Sequence, residues 1–376
     1  MNTHYLIPSL LILATAIIGT PATAEPEDSL KTTETRWWNP AQHDVPVIEG
    51  QAWPHEVRDF YDRLPARAEK TVRRAVWNLS RDAAGLLIRF RSDAPVIQVR
   101  YQVQDALDMP HMPATGVSGV DLYARENSGW NWIGGKYSFK DTITYTFQTI
   151  KADPDREYYL YLPLYNKVKW LEIGVPGDAQ LEPLPARNEG SIVIYGTSIA
   201  QGGCASRPGL AWTAMLGRKL NRPVINLAFS GNGRLEEAVN RLLQELDPSI
   251  YVIDCLPNMR GFPDDTTRAR LTATVTALRQ KKPDIPILVV ENADASINSL
   301  NFIREEDFDR VNNLAREAFD AMKDNGLKNI YLLPAREIGL GIESTVDGVH
   351  PNDIGMQEYA LAYEKAIRKI LKLSRQ

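Results

Sequence analysis

The spacing of the apolar residues changes once along this chain, and that change constrains the fold more than any other feature. From about residue 33 to residue 185, apolar and polar residues alternate. The segments RAVWNLS (74–80), GLLIRFRS (85–92), VIQVRYQV (96–103), VDLYARE (120–126), TITYTFQ (142–148) and EYYLYLPLY (157–165) each read as a half-buried strand, with turns such as SDAP, NSGW and ADPD between them. A period of two puts alternate side chains on opposite faces of a sheet. Short, regularly spaced segments of this kind predict an antiparallel β-sandwich.

Past the Pro-rich seam LEPLPARNEG (181–190) the apolar runs become nearly continuous. They are SIVIYG (191–196), PVINLAF (223–229), SIYVIDCL (249–256), IPILVVEN (285–292) and NIYLLPA (329–335). Such runs suit strands covered on both faces. Amphipathic segments separate them: Leu235, Ala238, Val239, Leu242, Leu243 and Leu246 form one apolar stripe at helical spacing. Further helices are expected near 211–221, 266–281, 305–324 and 354–372. This βα alternation predicts an α/β domain with a flavodoxin-like, doubly wound, parallel five-stranded sheet. The expected organisation is a leader at 1–24, a β-sandwich domain at 25–186 and the α/β domain at 187–376.

The leader rests on LIPSLLILATAII (6–18), which is too short to span a bilayer comfortably and runs into Ala22-Thr23-Ala24. That pattern reads as a secretory signal peptide with Glu25 as the first mature residue, although the segment before it holds no Lys or Arg. The competing reading is a buried or anchoring N-terminal helix. No cysteine follows the apolar run, which argues against a lipoprotein, so the expectation is a periplasmic or secreted protein without stable membrane association. A net charge of −4 with no Lys/Arg cluster argues against nucleic acid or an anionic membrane as partner. The two cysteines, Cys204 and Cys255, lack the spacing and companions of a zinc site; either a disulfide or two packed thiols fits them.

In a doubly wound sheet, ligands bind beyond the carboxyl ends of the strands. The residues that stand there are Gly196-Thr197-Ser198, Ser230-Gly231-Asn232-Gly233, Leu256-Pro257-Asn258 and, before the last helix, Asp347-Gly348-Val349-His350. Taken singly, these read equally well as a helix cap, a glycine turn, a loop carboxamide and an Asx-turn beside a surface histidine. Together they supply what acyl transfer needs: a nucleophile (Ser198), a base (His350), a group orienting that base (Asp347) and oxyanion donors from Ser198, Gly231 and Asn258. His350 is the only histidine after residue 187, so the base has one candidate there. Neither phosphate-binding glycine pattern follows the first α/β strand, and no cofactor is implied. Gly202 and Gly203 read as room for an ester to approach Ser198.

These blocks resemble the SGNH (GDSL-type) hydrolase superfamily: Ser198 in YGTSIAQGG, Gly231 in NLAFSGNG, Asn258 in DCLPNM and Asp347/His350 in DGVHPND, in family order. The GVDLY stretch (119–123) is similar to the N-terminal β-domain of one branch of these esterases. That resemblance implies a serine esterase acting on acyl groups, commonly acetyl, that decorate oligo- or polysaccharides. Three positions depart from the family pattern. Thr197 replaces the usual Asp, Pro257 stands directly before Asn258, and Met259 occupies a position where Asp is common. The alternatives are a lipase or thioesterase on small acyl esters, against which no long apolar lid segment is visible, and a carbohydrate-binding protein with a silent α/β half. Trp130, Trp132 and Tyr137 can stack on sugars or simply pack. MPHMPATG (109–116), with His111 and Met112, is either a hairpin loop or a loop reaching the site, and Glu291 reads as structural.

Overall fold

Residues 34–293 and 302–374 are described in the computed structural model, and the expected leader lies outside them. The strands of the N-terminal half are, in chain order, β1 (Thr35–Trp38), β2 (Ile48–Glu49), β3 (Leu87–Arg91), β4 (Ile97–Val103), β5 (Asp121–Glu126), β6 (Gly129–Ile133), β7 (Lys136–Ser138), β8 (Ile143–Phe147), β9 (Glu157–Tyr161), β10 (Val168–Pro176) and β11 (Glu182–Pro183). One antiparallel sheet runs β1-β10-β4-β8-β7. The other runs β11-β3-β9-β5-β6, with β2 beside β3. Their inner faces meet through Ile97, Val99, Phe90, Leu122, Phe147 and Leu160. The alternating residues thus build the core that their period predicts.

One expected strand is a helix. Residues 74–80 form α1 (Arg74–Leu79), not a strand. Ala75, Trp77 and Leu79 imitate a period of two, but in α1 the buried residues are the neighbours Val76 and Trp77, and Ala68 and Val72 are buried in the segment before it. With Trp53, Leu64 and Trp77, this segment packs onto Val193, Tyr195, Leu227 and Phe229, on one face of the parallel sheet. A short α2 (Ala114–Val117) precedes β5.

The C-terminal half carries β12 (Ile192–Gly196), β13 (Val224–Ala228), β14 (Ile250–Asp254), β15 (Ile287–Val290) and β16 (Ile330–Leu333), all parallel in the order β13-β12-β14-β15-β16. Every residue of β12 to β15 is buried, which is why these runs show no alternation. The helices are α3 (Ser198–Gln201), α4 (Trp212–Leu220), α5 (Glu237–Leu243), α6 (Asp264–Lys281), α7 (Phe302–Asp324), α8 (Ala335–Ile338) and α9 (Asp353–Leu371). Buried residues of α4 and α9 join the core on one face of the sheet, and those of α5, α6 and α7 join the core on the other.

Residues 34–376 form one compact unit. Tyr123, Tyr159 and Tyr161, on the outer face of the second antiparallel sheet, are buried in the same cluster as Ala214 and Leu220 of α4. Residues 121–124 of β5 and 158–161 of β9 are therefore buried on both faces. Arg187 grips the buried Glu49 with two 2.8 Å contacts. Asp121 of the GVDLY stretch accepts from Arg207 at 2.5 Å and from the Gly209 N–H at 3.0 Å.

Candidate active site

Chain direction at the end of β12 positions the first functional group. Gly196 ends the strand, Thr197 stays extended, and Ser198 opens α3 with 7 % of its surface exposed. Its Oγ lies 2.8 Å from Nε2 of His350. Nδ1 of His350 lies 2.7 Å from Oδ2 of Asp347. That second contact assigns the tautomer: Nδ1–H donates to the carboxylate, and the Nε2 lone pair is left to accept from the serine hydroxyl.

Asp347 is fixed by the turn it sits in. Its Oδ1 accepts from the backbone N–H of Val349 at 2.9 Å and of His350 at 2.8 Å. The Asx-turn and the orienting contact, which the sequence offers as rival readings, are one feature. Partial burial works to raise the Asp347 carboxyl, but the His350 N–H, the imidazole and the Val349 N–H outweigh it and bring it down to about 2. The carboxylate is therefore ionised wherever the imidazole needs it.

Two further loops complete the strand-end edge. Gly231 has φ +66°, a conformation open to glycine at little cost. Asn258 ends the turn after β14, and its Oδ1 accepts from the Gly233 N–H at 3.1 Å. The carboxamide is thereby oriented with Nδ2 left over. Among the described residues, Asn258 Nδ2 and the N–H groups of Ser198 and Gly231 meet no acceptor.

Several residues that the sequence did not single out hold this edge in place. Gln201, fully buried on α3, accepts from the Ser230 N–H at 2.9 Å and donates to Asp82 at 2.9 Å. The Tyr165 hydroxyl donates to the Ser198 carbonyl at 3.0 Å. Asp82 and Tyr165 come from the N-terminal half, far away in sequence, so no local pattern could reveal them. Gln201 carried one signal, its place three residues after Ser198.

The glycines at 202 and 203 are not an approach for substrate. A Cβ on Gly202 would meet Leu164 at 2.9 Å, and one on Gly203 would meet the Tyr165 hydroxyl at 2.8 Å. They make room for the N-terminal half. Thr197 is buried, and its hydroxyl has no hydrogen-bond partner. Cys204 and Cys255 are free, buried thiols. Burial, helped by Asp347, pushes the Cys204 thiol up to about 12.

The segment 109–116 does reach the site. Met109 and Met112 pair through 3.1 and 3.0 Å backbone bonds, and the His111 ring at the tip lies 5.9 Å, centroid to centroid, from that of His350. The hairpin and the loop at the active edge are the same structure. Met112 is 2 % exposed and joins the core beside Ile199 and Cys204. Trp130 packs on Tyr159, and its Nε1–H donates to the Arg218 carbonyl at 3.3 Å, on the seam between the halves. Glu291 pairs with Arg316 at 2.6 Å and accepts from the Ala335 N–H at 3.0 Å, a structural role. Among the described residues, no group of three or more His, Cys, Asp or Glu is arranged to hold a metal, and no helix is long and apolar enough to cross a membrane.

A parallel 2-1-3-4-5 sheet with a Ser-His-Asp chain at its carboxyl edge, preceded by a β-sandwich, defines an SGNH-type hydrolase. The chain belongs to the GDSL-like lipase/acylhydrolase family, whose model matches residues 189–368, and residues 35–181 match the family describing the N-terminus of SGNH-hydrolase-type esterases. It is an ester-acting hydrolase by membership. A solved structure from Bacteroides ovatus, assigned as a GDSL-like lipase, is 31% identical, with 91% of this chain and 100% of that one covered and a TM-score of 0.84. The salicylyl-acyltransferase SsfX3 of a tetracycline biosynthetic pathway shares 17% identity over 91% of this chain and 99% of its own, with a TM-score of 0.70. An acetyl xylan esterase from the rumen bacterium Butyrivibrio proteoclasticus shares the fold at 10% identity, 90% and 99% coverage and a TM-score of 0.54. No curated protein matches the chain.

Proposed function

We propose that this protein is an exported serine esterase that removes acyl groups, acetyl above all, from carbohydrate. The observation that carries the reading is the chain of contacts from Ser198 Oγ to His350 Nε2 at 2.8 Å and from His350 Nδ1 to Asp347 at 2.7 Å. His350 takes the serine proton as Oγ attacks the acyl carbon, and the ionised Asp347 stabilises the imidazolium that results. The N–H groups of Ser198 and Gly231 and Nδ2 of Asn258 receive the developing oxyanion. His350 then returns the proton to the departing sugar oxygen, and water enters by the reverse path to release the acid. The fold shared with an acetyl xylan esterase supports acetylated carbohydrate as the substrate.

A second reading, an esterase for longer acyl chains, has its own observation. Ile342, Val346 and Ile354, on either side of His350 in the chain, are 74%, 49% and 54% exposed. One assay series separates the two: p-nitrophenyl esters of increasing acyl length, then acetylated xylan, mannan and cello-oligosaccharides, with the wild type and Ser198→Ala. The proposal requires acetate release from a glycan, a preference for the shortest acyl group, and loss of about 10⁴-fold or more in kcat for Ser198→Ala. Full activity in Ser198→Ala overturns the mechanism, and preference for long acyl chains overturns the substrate.

A further inference from the structure

Two aromatic rings among the described residues are left uncovered, and they share one cleft. Among the described residues, Trp132 and Tyr137 are the only Trp, Tyr or Phe side chains more than a third exposed, at 52% and 56%. Both line a depression of about 390 Å³. It forms where the chain passes from β6, the edge of one antiparallel sheet, to β7, the edge of the other. Arg207 of the α/β half closes one side.

The Trp132 ring is held rather than loose. Its Nε1–H donates to Asp121 Oδ1 at 2.6 Å, and the Arg207 guanidinium lies 4.3 Å from the ring centroid. Arg207 in turn pairs with Asp121 at 2.5 Å, so its charge is balanced inside the protein. Tyr137 is braced by Tyr145 and Phe139, with ring centroids at 5.4 and 5.5 Å. Exposing two large rings to water is unfavourable unless something covers them. Lys136, Gln148 and Thr149 lie along the same cleft and offer hydrogen-bonding groups beside the rings. A pyranose fits this chemistry, with an apolar C–H face for a ring and hydroxyls around its edge for polar neighbours.

The cleft is tied to the catalytic edge. Thr115 lines it, and Thr115 follows His111 by four residues, a span of at most about 14 Å. The Thr115 hydroxyl donates to the Ser206 carbonyl at 2.7 Å, and Ser206 is bonded through its N–H to Asp353 at 2.9 Å, three residues after His350.

We infer that the Trp132–Tyr137 cleft is a second carbohydrate subsite, holding a neutral pyranose unit of the same glycan whose acylated unit reaches Ser198. The inference rests on the carbohydrate reading above, and its test keeps the two apart. Protein carrying Ser198→Ala is titrated calorimetrically with unacetylated xylohexaose, cellohexaose and mannohexaose. At least one binds, and adding Trp132→Ala or Tyr137→Ala weakens it about tenfold each, while Trp132→Phe retains most of the affinity. In the active background the same alanine variants keep kcat/KM for p-nitrophenyl acetate but lose about tenfold on acetylated polysaccharide, through KM. Absence of binding by all three, or binding indifferent to both rings, overturns the subsite and leaves the esterase reading standing. Ring-dependent binding with no deacetylation of any glycan supports the cleft as a sugar site and overturns the esterase's substrate instead.

Discussion

Gln201 sits on the same short helix as Ser198, and its carboxamide is used at both ends, by the Ser230 N–H and by Asp82. Ser198, the proposed nucleophile, and the loop of Ser230 and Gly231 are therefore fastened to each other through one side chain. Gln201→Met keeps the apolar volume and removes the acceptor, leaving the Ser230 N–H unpaired and the peptide before Gly231 free to turn. Removing an oxyanion donor outright costs about 10²–10³ in kcat; a donor that is still present but misaimed loses less, and we expect a fall of about tenfold. KM for p-nitrophenyl acetate stays within about twofold, because the binding surface is untouched. Steady-state kinetics beside a melting curve checks this: a lower Tm with unchanged kcat would confine Gln201 to folding. Thr197 works differently. It stands where the resemblance leads one to expect an Asp, and its buried hydroxyl has no hydrogen-bond partner among the described residues.

Strand β13 is the edge of the parallel sheet, and a second side chain from the N-terminal half covers it. The guanidinium of Arg63, 1 % exposed, donates to the carbonyls of Asn226 and Ala228 at 2.9 Å each, and also to Asp82 at 2.8 Å and Leu79 at 2.6 Å. Exposed strand edges invite mispairing, and a buried cation that saturates four carbonyls blocks that. Arg63→Leu leaves those carbonyls without their donor and removes the nearby positive charge that favours an ionised Asp82, so the loss is expected to be about 3–5 kcal/mol, read from urea unfolding. A loss below about 1 kcal/mol would show that water takes over the role. None of this was legible in the sequence, because Arg63 meets β13 across more than 160 positions. What was legible follows from periodicity. Nearly continuous apolar runs named the five parallel strands, alternation named β3, β4, β5, β8 and β9, and the residues after the first three parallel strands, with the segment before the last helix, named the candidate site. Alternation misled at 74–80, a short helix whose buried residues, Val76 and Trp77, are neighbours in the chain. It was also silent at β6 and β7, whose short exposed strands bury too little to leave a pattern.

At the scale of the whole molecule, Asp82 and Asp254 on one side and Asp347 on the other set opposing pH dependences. Burial raises Asp82 to about 7 against the pull of Arg63, and burial raises Asp254 to about 7 against the Tyr363 hydroxyl that donates to it at 2.9 Å. Both groups take up a proton on folding. Their stabilising contribution is fully present below the ordinary value near 3.8 and is lost as pH rises through about 7. Asp347 runs the other way, with a contribution present above 3.8 and lost as pH falls through about 2. The Asp347 carboxylate thus stays ionised across the neutral range, while the two interior carboxyls titrate within it. Asp254 isolates the effect, because it is 3 % exposed and Tyr363, the residue whose hydroxyl donates to it, is also fully buried. A shift from 3.8 to about 7 corresponds to about 4 kcal/mol between the ionised and neutral forms. Asp254→Asn keeps the acceptor for Tyr363 and abolishes the titration. Its Tm relative to the wild type should therefore climb as pH rises from about 5 to about 8, whatever the offset at the acid end. A gap that stays constant over that range would mean that Asp254 holds one protonation state throughout.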